Sequence, residues 1–236
     1  MKSSKGIVFG LVALLLVGAC AKTEVSNRKI LVTEKIPRPN HIWIYDFAAT
    51  PADVPADSEF AGKRVEHPTP QTPEQIATGR EVGALVATQL VEEIQGMSLP
   101  ARRASSGTTT QVNDLVIRGY LVSLDEGSAT KRVAIGFGSG ASELGAAVEG
   151  FQVTAKGLRK LGSGNVDSGS NKTPGGAVGV GALIITHNPA GLIIGTGAKA
   201  YGEYSGSSKL EGRAKAMAKE IAETIKPRFQ QQGWIN

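Results

Sequence analysis

The chain contains a single cysteine, and the place where it stands constrains everything after it. Lys2 and Lys5 open the sequence. Ile7 to Val17 is an apolar run broken only by Gly10, and Val17-Gly18-Ala19-Cys20 closes it with small residues. A positive start, an apolar core of about ten residues and a small-residue end have the form of a secretory signal. The core falls short of the roughly twenty apolar residues that a bilayer span needs. The polar stretch 22–29 prevents its extension. An odd cysteine in an exported chain calls for a chemical role, and small residues just before it supply one. Residues 1–19 are predicted to be a cleaved signal peptide, with Cys20 carrying a thioether to diacylglycerol. With no second cysteine, no disulfide framework is available, so the folded part must stand on its own hydrophobic core.

This terminus resembles the bacterial lipobox. In enterobacterial sorting rules, Ala21 rather than aspartate after the cysteine points to the outer membrane. The expected address is therefore the cell envelope, lipid-anchored at the outer membrane and facing the periplasm. The plainer alternative is a soluble secreted protein cleaved near Ala19 or Ala21. Loss of Lys2 and Lys5, with no acidic residue lost, lowers the formal charge from +5 to +3. That excess is too small to argue for nucleic acid as a partner.

Residues 20–40 are polar and carry Pro37 and Pro39, which predicts a lipidated cysteine followed by a tether. Residues 41–236 are then expected to form one domain. His41 to Phe47 is rich in β-branched and aromatic residues and predicts a first strand. Residues 48–71 form a long loop punctuated by Pro51, Pro55, Pro68 and Pro70. Thr72-Pro73-Glu74-Gln75 is a helix start, with Thr72 as cap, Pro73 at the first position and Gln75 completing a capping box. Ile76, Val82, Leu85, Val86, Leu90 and Ile94 follow on one helical stripe, and Gly96 is the expected stop.

Asp114 to Leu124 predicts a strand, with a turn at 125–128 and a short strand at Arg132 to Ile135. Residues 146–154 and 158–166 predict a hairpin joined at Lys156-Gly157. A last helix is expected from Ser208, where Ser208 and Glu211 match a capping box. Leu210, Ala214, Met217, Ile221 and Ile225 form its apolar stripe, and Pro227 should end or kink it. Phe229 and Trp234 are expected to pin the tail to the body.

Between hairpin and last helix lies the glycine-rich segment 174–200, divided by His187-Asn188-Pro189. Gly175/Gly179 and Gly191/Gly195 are spaced by four, which places each pair on one helix face and makes them candidate helix-contact glycines. Each half is too short to span a bilayer. The segment either packs beside the sheet or forms a hairpin that enters a membrane or drives self-association.

Catalytic chemistry is sparse. Gly136, Gly138 and Ala141 match a permissive dinucleotide fingerprint after a short apolar run. However, Leu158-Arg159-Lys160-Leu161 stands where an acidic ribose-binding residue is needed, and strand rather than helix follows. A glycine-rich bend is the preferred reading of Gly136 to Ala141, and no cofactor is expected. His41, His67 and His187 are scattered without metal-ligand spacing. Asp125 and Glu126 read as a solvated turn, with Arg118 and Arg132 placed to pair with it across a hairpin. Asp46 reads as an exposed turn carboxylate. No catalytic, cofactor-binding or metal residues are assigned.

The stretch Leu115-Val-Ile-Arg-Gly119, the turn Asp125-Glu-Gly-Ser128, Lys131-Arg132 and the block Ile135 to Leu144 together resemble an uncharacterised family of bacterial lipoproteins, domain of unknown function 4410. The resemblance covers the chain from about Ile42 to the C-terminus and implies an envelope location, with no activity and no site residues. In its order of elements the chain is also similar to small periplasmic modules of envelope-assembly lipoproteins, an analogy of fold alone. The expectation is an α+β domain whose mixed or mostly antiparallel sheet packs against two main helices, with the glycine-rich segment inserted before the C-terminal helix. Functionally it is a non-enzymatic, lipid-anchored binding or assembly module, whose partner is an envelope protein or a second copy. The alternatives are a membrane-inserting oligomer built through 174–200 and, behind it, a nucleotide enzyme.

Overall fold

The computed structural model describes residues 23–58, 61, 72–125, 143–168, 193–194 and 204–236. Within them, strands β1 (Thr23–Ile30) and β2 (Ile42–Ile44) precede a 3-10 turn (Pro51–Asp53) and helix α1 (Pro73–Gly96). Strands β3 (Ala101–Arg103), β4 (Leu115–Asp125), β5 (Glu143–Thr154), β6 (Gly157–Ser168) and β7 (Ile193–Ile194) follow, and helix α2 (Tyr204–Gln232) closes the order. The architecture is α+β, as the periodicities predict.

The sheet runs β1-β6-β5-β4-β2-β3, with β7 also on β4. β1, β6, β5 and β4 pair antiparallel, whereas β2 pairs parallel with both β3 and β4. A parallel neighbour cannot be reached by a tight turn. Helix α1 provides the crossover from β2 to β3. β2 covers only Leu115 to Ile117 of the long strand β4, and β7 pairs with Ser123 and Leu124 farther along it.

Period-two alternation divides the sheet into two faces. Leu115, Ile117 and Leu121 of β4, with Leu144 and Ala146 of β5, join the main core under the helices. Helix α1 adds Val82, Val86, Leu90 and Ile94, spaced by four and buried. Helix α2 adds Ala214, Met217, Ala218, Ile221 and Ala222, and it packs against α1 as well as on the sheet. Burying each Val, Leu or Ile contributes about 1.5–3 kcal/mol, so these stripes dominate the stability. Phe47 fills the junction, because a Cβ on Gly119 would lie 2.2 Å from its ring.

Two expectations are corrected. Thr23–Ile30, expected within the polar tether 20–40, is the edge strand β1 of the sheet. Its mostly polar residues suit a strand with one edge toward water, so polarity alone misread it. Helix α2 begins at Tyr204, before Ser208, and continues through Pro227 to Gln232. An interior proline costs a helix about 3 kcal/mol. The last turn is held instead by tertiary contacts. Phe229 and Trp234 are buried with ring centroids 5.4 Å apart, as expected for the tail. Gln232 accepts from Ile36 N at 2.7 Å, and Arg228 donates to Val32 O at 2.7 Å. Helix α1 ends at Gly96, as expected, and the left-handed residue that follows is Ser98, at φ 61°.

Candidate functional site

Two places in the fold collect unusual groups, one on each face of the sheet. On the face away from the helices, Tyr120 of β4 and Glu149 of β5 are buried side by side. Tyr120 Oη lies 2.9 Å from Glu149 Oε2 and 2.9 Å from Ser58 Oγ, and Ser58 donates to the same carboxylate oxygen at 3.3 Å. Lys160 of β6 reaches Glu149 Oε1 at 2.5 Å. The position of Lys160 follows from an irregularity between Gly150 and Phe151, which shifts the β5–β6 register there.

A buried carboxylate needs a cation and hydrogen bonds, and Glu149 has both. Burial pushes the Tyr120 phenol well above its ordinary 10.0; Glu149 adds to that push while the Ser58 hydrogen bond opposes it. Tyr120 therefore keeps its proton and serves as a hydrogen-bond donor to Glu149 and Ser58. The cluster ties the 48–58 segment to the sheet.

Beside it, Arg118 bonds Asp57 at 2.8 Å. Its guanidinium carbon lies 5.4 Å from the Phe151 ring centre and 5.9 Å from that of Tyr45, within cation–π range. Among the described residues the carboxylate partner of Arg118 comes from the loop before α1, while residues 126–128 of the turn expected to pair with it lie outside them. Asp46 is exposed and paired with Arg103.

His41 meets Asp114 at 3.3 Å, and the same buried carboxylate accepts from Trp43 Nε1 at 2.8 Å and Gln111 N at 2.9 Å. This arrangement fastens the start of β2 to that of β4. Among the described residues, no group of three His, Cys, Asp or Glu side chains is placed to hold a metal ion.

On the helix face, the sheet and the second half of α2 leave a partly open crevice of about 170 Å³. Val148, Leu161, Ile221, Ile225, Phe229 and Trp234 make it overwhelmingly apolar, and Arg28 and Lys29 are exposed cations on its border. Gly162 shapes one wall. A Cβ there would lie 2.5 Å from Lys29 O, so glycine lets the end of β1 cross closely over β6. Leu31 N continues that crossing by donating to Leu161 O at 2.9 Å. Small, mostly apolar concavities with a few polar groups at one side are the usual form of a ligand site.

Of the residues singled out by sequence, Cys20, Gly175, Gly179, Gly191, Gly195, Gly136 to Ala141, His67, His187, Glu126 and Arg132 lie outside the described residues. Ile193–Ile194, between two of those glycines, are extended and paired with β4. No helix among the described residues is long and apolar enough to cross a membrane. The crevice escaped sequence reasoning, because its walls come from β1, the hairpin and α2. The polar cluster had one signal, a glutamate within the otherwise apolar run 146–151.

An α+β sheet with two helices on one face, a buried hydrogen-bonded polar cluster on the other and an apolar crevice defines a single-domain module. The family described as "Domain of unknown function (DUF4410)" matches residues 42–186, and the chain belongs to that family. The match starts at β2, so β1 and α2, which form much of the crevice, lie outside it. Among solved structures the chain is similar to the PelC dodecamer from Paraburkholderia phytofirmans in space group P6. The identity is 9% and the TM-score 0.40, over 85% of this chain and 95% of that one. A point variant of the same dodecamer in space group C2 gives 9% identity and a TM-score of 0.39, again over 85% and 95%. No curated protein matches the chain.

Proposed function

We propose that this chain is a non-enzymatic, lipid-anchored protein of the cell envelope that acts as a binding or assembly module at the outer membrane. The observation that carries this reading is the short distance between the lipobox-like cysteine and the sheet. Cys20 precedes β1 by only three positions. Even a fully extended chain spans at most about 3.6 Å per residue, so the link reaches only about 10 Å. A lipid on Cys20 would hold the β1 side of the domain against the bilayer surface, in place of a domain swinging on a long tether.

The non-enzymatic part rests on the groups themselves. Glu149, Lys160, Tyr120 and Ser58 are committed to one another, and Asp114 is committed to His41, Trp43 and backbone. Among the described residues, the crevice brings no nucleophile together with a base. Intact-mass measurement of protein isolated from its native envelope tests the anchor. The expected species lacks residues 1–19 and carries diacylglycerol on Cys20; an unmodified thiol there overturns the reading. Crosslinking in the native envelope tests the module, and the expected result is a discrete adduct with an envelope protein or with a second copy.

A further inference from the structure

We propose that the crevice between the β5–β6 hairpin and α2 binds the tail of an anionic single-chain amphiphile, with Arg28 and Lys29 receiving its head. This deepens the reading of the chain as an envelope binding module and rests on it for the source of the ligand.

The chemistry of the walls selects the tail. Val148, Leu161, Ile221, Ile225, Phe229 and Trp234 offer hydrocarbon and aromatic surface, and little polar surface is exposed inside. Water in such a space lacks the two to four polar partners that would hold it. At about 170 Å³ the space exceeds the roughly 150 Å³ of an apolar cavity that stays dry and takes benzene. It therefore suits a segment of about six to eight carbons, and being partly open it lets the rest of a chain emerge.

The border selects the head. Arg28 and Lys29 are exposed, and neither is paired with a carboxylate among the described residues. The third cation, Arg228, is already spent on Val32 O and Glu34 O, where it builds the wall. Glu149 also borders the crevice, but its carboxylate is held by Lys160 and Tyr120 on the opposite face. The exposed charge at the border is therefore positive, complementary to a carboxylate or phosphate head.

Trp234 lies in the crevice wall and is one of two tryptophans in the chain, which provides a contact reporter. The test uses the chain from residue 20 onward with Cys20→Ala, which keeps every described element, titrated with 10-bromodecanoate below its micelle concentration. Bromine quenches tryptophan only at contact. The expected result is saturable quenching that removes up to about half of the emission. Arg28→Ala with Lys29→Ala, both at exposed positions, should weaken bromodecanoate binding about tenfold while leaving binding of decanol unchanged.

Ile225→Phe, which fills the crevice, should abolish quenching; Val148→Leu provides a milder filling if that variant fails to fold. Absence of saturable quenching in the parent chain overturns the proposal. Undiminished quenching in a folded filled variant does so too, and equal affinity in the double charge variant overturns the assignment of the head. A free thiol at Cys20 in envelope-derived protein would remove the anchor and leave this binding result standing, whereas failed quenching removes this site and leaves the anchor standing.

Discussion

Lys160 Nζ lies 2.5 Å from Glu149 Oε1, joining adjacent strands of the hairpin across the sheet face that the helices leave uncovered. The carboxylate is fully buried, while the lysine side chain is 19% exposed. Removing one partner of a buried pair costs about 3–5 kcal/mol, because the other charge is left without compensation. Lys160→Met should therefore lower stability by about 2–4 kcal/mol, the partial exposure reducing the loss. Adding Glu149→Gln should recover much of it. Urea midpoints of the three proteins check this; a double variant as unstable as the single one would show that the pair is not the cause.

Phe47 and Gly119 form an equally tight pair on the other face. A Cβ at residue 119 would stand 2.2 Å from the Phe47 ring, and that ring is buried. Overpacking of this kind typically costs about 1–3 kcal/mol. Gly119→Ala should lose at least that much, and Phe47→Leu in the same chain should restore part of the loss. A double-mutant cycle read by thermal unfolding measures the coupling, and strict additivity would contradict the contact.

Acidification should act on the 48–58 segment through Asp53. Burial raises its carboxyl, but bonds from Arg80 and Thr50, with the Arg80 charge, outweigh burial and hold it below its ordinary 3.8. Arg80 Nη2 lies 2.7 Å from Asp53 Oδ1. A carboxyl with a lower pKa folded than unfolded stabilises the fold above the unfolded value and loses that contribution as pH falls through the folded one. Asp53→Asn should therefore melt below the parent at pH 7, with the gap closing as the pH drops under about 4. Melting curves from pH 7 to pH 2 test the sign; a gap that widens on acidification is the contrary result.

The end of α2 should depend on Gln232. Its amide accepts from Ile36 N and donates to Glu34 O at 3.0 Å, and it is 7% exposed. Truncation leaves backbone groups without partners at a cost of about 1–3 kcal/mol. Gln232→Ala should show that loss together with faster hydrogen exchange in the last turn beyond Pro227. Unchanged exchange there would mean that Phe229 and Trp234 hold the turn by themselves.

Element types were legible where burial imposes a period. Val82, Val86, Leu90 and Ile94 repeat every four residues because one helical stripe is buried, and the structure places all four in the core. The hairpin was legible because Lys156-Gly157 separates two strand-like runs, observed as Glu143–Thr154 and Gly157–Ser168. β1 was not, because among the described residues Thr23–Ile30 pairs only with β6 at the sheet edge, and a polar edge strand has the composition of a linker. Nor was the extent of α2, because the energy that carries it past Pro227 comes from residues 32–36, far away in sequence.

By itself the sequence determined the α+β class, the two amphipathic helices, the hairpin and the family, because these depend on local periodicity and short motifs. It also set the expectation for Cys20, which is chemistry written in consecutive residues. Only the tertiary structure decided that the sheet begins three positions after that cysteine, that Glu149 meets Lys160 and Tyr120, and that an apolar crevice lies beneath α2. Each of those depends on residues far apart in the chain, brought together by strand register and helix packing, and neither leaves a periodic signal in any single segment.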